Sequence, residues 1–146
     1  VLSRLEETKL SLLGAKVVRV TTELAKEHYK PLREKPFFNE LVAYLCGTLH
    51  QVDYVLALVY AGEGAIQLVR QVAGATNPEA ADPQSLRGAY GRMTTTGVME
   101  NVLHASSDPS EAEREIKLWF GPEDLLDAPY PTKPLSGTNH KMLTWA

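Results

Sequence analysis

Asn101-Val102-Leu103-His104-Ala105-Ser106-Ser107-Asp108 leads directly into Pro109-Ser110-Glu111. A short apolar run ending in a histidine, followed by a helix start, reads as a strand-to-helix junction. Asp108 suits the N-cap, Pro109 suits the first helical position, and Glu111 stands at capping-box spacing. Beyond it Ala112, Ile116, Trp119 and Phe120 recur on one helical face, which predicts a buried stripe. Backbone N–H groups at a helix start favour anions, so His104 is well placed to meet a phosphate. On this segment alone the better reading of His104 is a loop or core histidine satisfied by a backbone carbonyl, because single histidines are common.

Upstream, residues 75–100 are rich in Gly, Pro, Thr, Asn and Asp and read as one long loop without periodicity. Loops of that length inside a domain are usually functional or disordered. Before it, 65–73 is helical and closed by Gly74, and 52–61 is almost unbroken apolar, expected as a strand buried on both faces. Phe38, Leu41, Val42 and Leu45 recur at helical spacing, with Gly47 as the stop. Thr21 or Thr22 caps a helix reaching about Tyr29, and Pro31 and Pro36 mark the loop behind it. Residues 15–20 are short and β-branched, a strand. Leu2, Leu5, Leu12 and Leu13, with Gly14 behind them, predict a helix over 2–13. After Leu126, Pro129, Pro131, Pro134 and Gly137 predict an extended tail, with Met142, Leu143 and Trp145 near its end. Such a tail docks on its own domain or on a neighbouring subunit. The alternation predicts an α/β (α+β) sandwich, a sheet with helices packed on it. A ferredoxin-like antiparallel sheet fits if one strand is supplied before residue 1.

The 146 residues suit a single domain with a real core. A hydrophobic fraction of 44% and a charged fraction of 23% are those of an ordinary globular protein. The formal charge of −3 leaves no broad basic field for a nucleic-acid backbone, which makes nucleic acid a poor partner. The longest apolar run, 55–61, is too short to cross a bilayer. Cys46 is the only cysteine, so no intrachain disulfide and no cysteine metal cluster is expected, in keeping with a reducing, cytoplasmic setting.

Several polar residues sit where packing does not require them. Arg70 lies on the helix before Gly74, Thr76 follows in Gly74-Ala75-Thr76-Asn77-Pro78, and Arg87 stands in Ser85-Leu86-Arg87-Gly88. Arginine suits phosphate because its planar fork makes two parallel hydrogen bonds. Two arginines, a threonine hydroxyl and a histidine make a polyphosphate clamp, although either arginine taken singly reads as a solvated surface charge. Phe37 and Phe38 read as core aromatics, at least one of them. Glu115 can reach toward His104 or be a solvated helix carboxylate beside Arg114 and Lys117. His28, His50 and His140 have no partner at metal-ligand spacing, so no protein-held metal is expected.

Asn101-x-x-His104-x-Ser106, then Glu115, with Arg70, Thr76 and Arg87 upstream, resembles the nucleoside diphosphate kinases. So do His28-Tyr29, Lys35-Pro36-Phe37-Phe38 and Ser110-Glu111-Ala112-Glu113-Arg114-Glu115-Ile116. The resemblance runs over 1–126 as one kinase-like domain, leaving 127–146 as an extended tail. It implies a ferredoxin-like sandwich assembled as homo-hexamers or tetramers. The reaction it implies moves the terminal phosphoryl group of a nucleoside triphosphate onto a nucleoside diphosphate, in a ping-pong cycle through a phosphohistidine on His104. A neutral imidazole is needed, so protonating it should stop transfer.

By the same resemblance, Arg70, Thr76 and Arg87 hold phosphates and Asn101 meets the ribose side. Phe37 stacks on the base, with Leu41 and Val98 lining that slot. Tyr29 lies beside the histidine, and Glu115 orients it, helped by Ser106. Mg²⁺ is implied as a cofactor held mainly through the phosphates. The chain departs from the family pattern in places. The family's first strand, with its Lys-Pro-Asp motif, has no counterpart here; Arg-Gly-Asp is replaced by Arg87-Gly88-Ala89; and the segments 47–53 and 91–100 are longer. These departures motivate the alternative of a catalytically impaired nucleotide-binding or scaffolding relative.

Overall fold

The structure is a computed structural model and describes residues 1–135 and 142–146, so Gly137 and His140 lie outside the described residues. In chain order the elements are α1 (Leu2–Glu6), β1 (Ser11–Arg19), α2 (Thr22–His28), α3 (Phe38–Leu45), β2 (Tyr54–Ala61), α4 (Ala65–Ala73), α5 (Leu86–Tyr90), β3 (Arg92–Met93), β4 (Met99–Glu100), α6 (Pro109–Trp119), β5 (Thr132–Pro134) and β6 (Leu143–Trp145). The strands pair as three two-stranded sheets, β1 with β2, β3 with β4 and β5 with β6. The chain divides into two compact units, Val1–Ser11 with Tyr60–Ala112 and Leu12–Val59 with Glu113–Ala146.

The second of these units holds most of the β1–β2 sheet and the helices α2 and α3. Just past β1, the Val20 amide donates to the Asp53 carbonyl at 2.7 Å. Thr21 then caps α2 by accepting from the Leu24 amide at 3.2 Å, as its residue type predicts. Val20, Ala25 and Val42 form the core, and Phe38, Leu45, Val55 and Trp119 pack against it. Phe38, Leu41, Val42 and Leu45 do build a helix, and Gly47 follows it at φ +76°.

Two expectations here fail. The strand 52–61 is not buried on both faces: Val59 is buried, whereas Tyr54 and Leu56 are 56% and 51% exposed, so the strand alternates as a one-sided sheet does. The helix over 2–13 ends at Glu6. Lys9 turns the chain at φ +61°, and Ser11 already begins a nine-residue strand. Gly14 therefore stops no helix. It lies within β1, where an added Cβ would stand 2.5 Å from Leu125 Cδ2 and 3.1 Å from the Asp124 carbonyl oxygen, a close approach that favours glycine.

The tail also belongs to this unit. β5 and β6 pair antiparallel, with Thr132 opposite Trp145 and Pro134 opposite Leu143. The Trp145 indole donates to the Phe120 carbonyl at 2.8 Å, so the described tail docks on its own unit.

In the first unit, α4 ends at Gly74 and the segment expected as one long loop is largely ordered. Asn77 accepts from the Glu79 amide and starts a short 3-10 turn at Pro78–Ala80. Ser85 accepts from the Gly88 amide and caps α5, whose Leu86 is fully buried. Burying that side chain contributes about 2–3 kcal/mol, which is why a five-residue helix persists here. Residues 92–100 form the β3–β4 hairpin. The strand expected over 101–104 is absent: strand pairing stops at Glu100, and Val102 adopts φ +71°, incompatible with an extended ladder. Asp108 accepts from the Glu111 amide at 3.0 Å and caps α6 as expected. Among the described residues, no helix is long and apolar enough to cross a membrane.

Candidate functional site

The residues singled out in the sequence fall into two sets, one in each unit. Arg70, Thr76, Arg87, Val98, Asn101, His104 and Ser106 belong to the first unit; Tyr29, Phe37, Leu41 and Glu115 belong to the second.

In the first set Arg87 is central. The Ser85 cap and the buried Leu86 fix α5, and Arg87 is itself only 7% exposed, so the reading of it as a solvated surface charge is excluded. Its Nη1 donates to the Gly74 carbonyl and its Nη2 to the Leu103 carbonyl, each at 2.9 Å. One guanidinium thus ties the end of α4 to the residue before His104. Its Nε is buried and, among the described residues, has no hydrogen-bond partner. Burial, and secondarily the charge of Arg70, holds the Arg87 guanidinium below its ordinary pKa range. A guanidinium whose charge is disfavoured by burial and by a neighbouring cation, with a buried donor unspent, forms a site that an anion would stabilise.

Gly74 is required by geometry. Its φ of +85° and ψ of −177° lie where essentially only glycine goes, and an added Cβ would sit 2.2 Å from Ser85 Oγ. The turn it makes carries Thr76 away from α4, leaving it exposed. Asn101 Nδ2 makes a long contact, 3.4 Å, with the Thr76 carbonyl. Arg70 is exposed in the last turn of α4, where a cation also complements the helix dipole. His104 is exposed and is followed by buried Ala105 and half-buried Ser106. Val98 is half-buried at the end of the hairpin turn.

In the second set, Phe37 and Leu41 stand one helical turn apart, the Leu41 amide donating to the Phe37 carbonyl at 3.1 Å. Phe38 goes to the core, whereas Phe37 is 48% exposed, so the pair of aromatics splits into one structural ring and one open to a partner. Glu115 is 8% exposed, which rules out the solvated-carboxylate reading; Arg114 Nη2 lies 3.8 Å from its Oε1. Burial, then the Glu115 charge, then Tyr44, push the Tyr29 phenol up to about 12. Tyr29 is therefore a neutral hydroxyl at any physiological pH.

Two residues given no role beforehand hold this set in place. Arg114 donates to the carbonyls of Glu27 and His28 at 3.0 and 2.8 Å, satisfying the C-terminal end of the helix that delivers Tyr29. His28 is buried and accepts at Nδ1 from the Trp119 indole at 3.1 Å, with its ring edge-on to Tyr29 at 4.7 Å. A helix-terminal histidine beside a tyrosine was the only sequence signal; the Arg114 contacts span 86 and 87 residues and left none.

Comparison with known proteins agrees with this geometry. The family model described as nucleoside diphosphate kinase matches residues 1–125. The nucleoside diphosphate kinase of Symbiobacterium thermophilum is 44% identical over 121 residues, covering 83% of this chain and 75% of that protein. Among solved structures, a halophilic nucleoside diphosphate kinase from Halobacterium salinarum in complex with CDP superimposes with a TM-score of 0.76 at 38% identity. It covers 86% of this chain and 78% of that one. A nucleoside-diphosphate kinase from Borrelia burgdorferi, a transition state mimic with bound vanadate and ADP, gives a TM-score of 0.75 at 30% identity over 86% and 79% of the two chains. The fold is thus the α+β, ferredoxin-like one of these kinases, and nothing in the matches favours an impaired relative. The chain belongs to the nucleoside diphosphate kinase family.

Proposed function

We infer that His104 is the nucleophile through which this nucleoside diphosphate kinase moves the terminal phosphoryl group from a nucleoside triphosphate to a nucleoside diphosphate. An imidazole nitrogen of His104 forms a bond to the γ-phosphorus as the bond to the bridging β–γ oxygen breaks, and the diphosphate departs. An acceptor's terminal β-phosphate oxygen then attacks the phosphohistidine, restoring the imidazole and producing the new triphosphate. The observation that carries this reading is the exposed His104 directly following Leu103, whose carbonyl is gripped by the buried Arg87.

Arg70, Arg87 and Thr76 are proposed to hold phosphates and Asn101 the ribose, with Phe37, Leu41 and Val98 forming the base slot. Tyr29, Ser106 and Glu115 are proposed to act on the histidine's orientation, on the strength of the sequence resemblance. The first unit's set consists of cationic and neutral donors, suited to phosphate oxygens rather than to a metal. Mg²⁺ would therefore enter on the nucleotide, where it supplies charge neutralisation between phosphates. Homo-oligomeric assembly, a hexamer or tetramer, is supported by the exposed Val17, Tyr54 and Leu56, and sedimentation of the purified chain tests it. A cytoplasmic, reducing location is supported by the single cysteine Cys46.

The test is initial-rate kinetics with donor and acceptor varied together. Parallel double-reciprocal lines, lost entirely in His104→Ala, are expected. Near-normal transfer by that variant would sink the assignment.

A further inference from the structure

The β3–β4 hairpin, residues 92–100, ends directly before Asn101. Its turn is built from its own side chains: the Thr94 amide donates to the Val98 carbonyl at 2.9 Å, the Val98 amide donates to Thr94 Oγ1 at 2.8 Å, and Gly97 takes φ +82°. Its base is seated tightly, since a Cβ on Gly91 would meet the Arg87 carbonyl oxygen at 2.6 Å and Pro78 Cγ at 2.7 Å. Arg92 and Glu100 stand opposite each other in the strand register, and Arg92 Nε is ion-paired with Glu100 Oε2. Arg92 is 71% exposed, while Glu100 keeps only 25% of its side chain in solvent.

Glu100 thus places a carboxylate one residue from the Asn101 that touches Thr76. A polyphosphate carries several negative charges, and a carboxylate within a Debye length of it is repulsive unless neutralised. We propose that Arg92 is a positioning residue for the nucleotide: by pairing with Glu100 across the hairpin it cancels a charge that would repel the polyphosphate from the neighbouring Thr76 and Asn101. This inference rests on the reading above, that those residues hold the nucleotide.

The experiment compares the whole chain with Arg92→Met, Arg92→Lys, Glu100→Gln and the double variant Arg92→Met/Glu100→Gln, measuring KM and kcat for a nucleoside diphosphate acceptor at low and high salt. Arg92→Met is expected to raise KM roughly fivefold at low salt, with kcat within about twofold of the parent, and the rise should shrink at high salt. Arg92→Lys should stay near the parent. Glu100→Gln alone should leave KM equal or lower, and the double variant should return KM to the parent value. An unchanged KM in Arg92→Met overturns the proposal. So does a double variant as impaired as Arg92→Met, or a Glu100→Gln equally impaired, because either result makes the pair a mechanical staple rather than a charge shield. Phosphoryl labelling of the parent in the same preparation separates the two levels: an unlabelled parent is a failure of the kinase reading, and a labelled parent without the KM pattern is a failure of this one.

Discussion

Arg87 Nη2 donates to the carbonyl oxygen of Leu103 at 2.9 Å, one residue before His104, while Nη1 of the same guanidinium donates to the Gly74 carbonyl. The fork therefore fixes the backbone leading to His104 against the turn that presents Thr76. Lysine offers a single point charge and cannot span both carbonyls in that geometry. Losing the fork leaves two part-buried carbonyls short of partners, at about 1 kcal/mol each. Arg87→Lys is expected to lower the melting temperature by several degrees and kcat by roughly 10²-fold, the scale of one lost preorganised donor. Thermal melts with initial rates check this; a fully active, stable Arg87→Lys would show that charge alone suffices.

Tyr29 makes the fold sensitive to alkali. Its folded pKa is raised from the ordinary value near 10 to about 12, chiefly by burial and then by Glu115. The protonated phenol is the form the fold holds, so its contribution is complete below about pH 10 and is lost as pH rises through about 12. Urea midpoints should fall with rising pH in the parent and fall less steeply in Tyr29→Phe. Identical slopes would contradict the burial of this hydroxyl.

Asp108 produces the opposite dependence at the acid end. The Glu111 amide, and secondarily the Ser107 hydroxyl, hold its carboxyl below the usual range. The cap is in force above the ordinary aspartate pKa and is lost as pH falls through the lowered value. Asp108→Ala is expected to lower the melting temperature by a few degrees at neutral pH. Asp108→Asn, which caps without titrating, should keep most of the stability and lose the acid dependence; acid melts of the three proteins decide it.

Gly74→Ala is expected to cost about 2 kcal/mol or more, because the backbone there is glycine-only and the new Cβ would collide with Ser85. Adding Ser85→Gly removes the collision but not the backbone strain and the lost α5 cap, so the double variant should recover little. Denaturant titration measures both.

Local chemistry was legible in the sequence. The caps at Thr21 and Asp108, the apolar period of α3 and the glycine stop at Gly47 all depend on neighbours within a turn or two, and all are where residue types placed them. Readings that needed distant partners failed. Leu12 and Leu13 continued a helical pattern on paper, yet the chain is extended there, with the Leu126 amide donating to the Leu13 carbonyl. Residues 101–104 have strand composition but no pairing partner among the described residues. The family was readable from the order of its motifs, whereas the environments of Arg87 and Glu115 were not. An arginine on two carbonyls and a buried carboxylate look like surface charges until the fold supplies the contacts.

The most direct test uses the chain mixed with ATP labelled at the γ-phosphate, without acceptor, followed by mapping of acid-labile label on the protein. Label is expected on His104, absent from His104→Ala and discharged by added nucleoside diphosphate. Nucleotide binding with no label, or label that persists in His104→Ala, would contradict it.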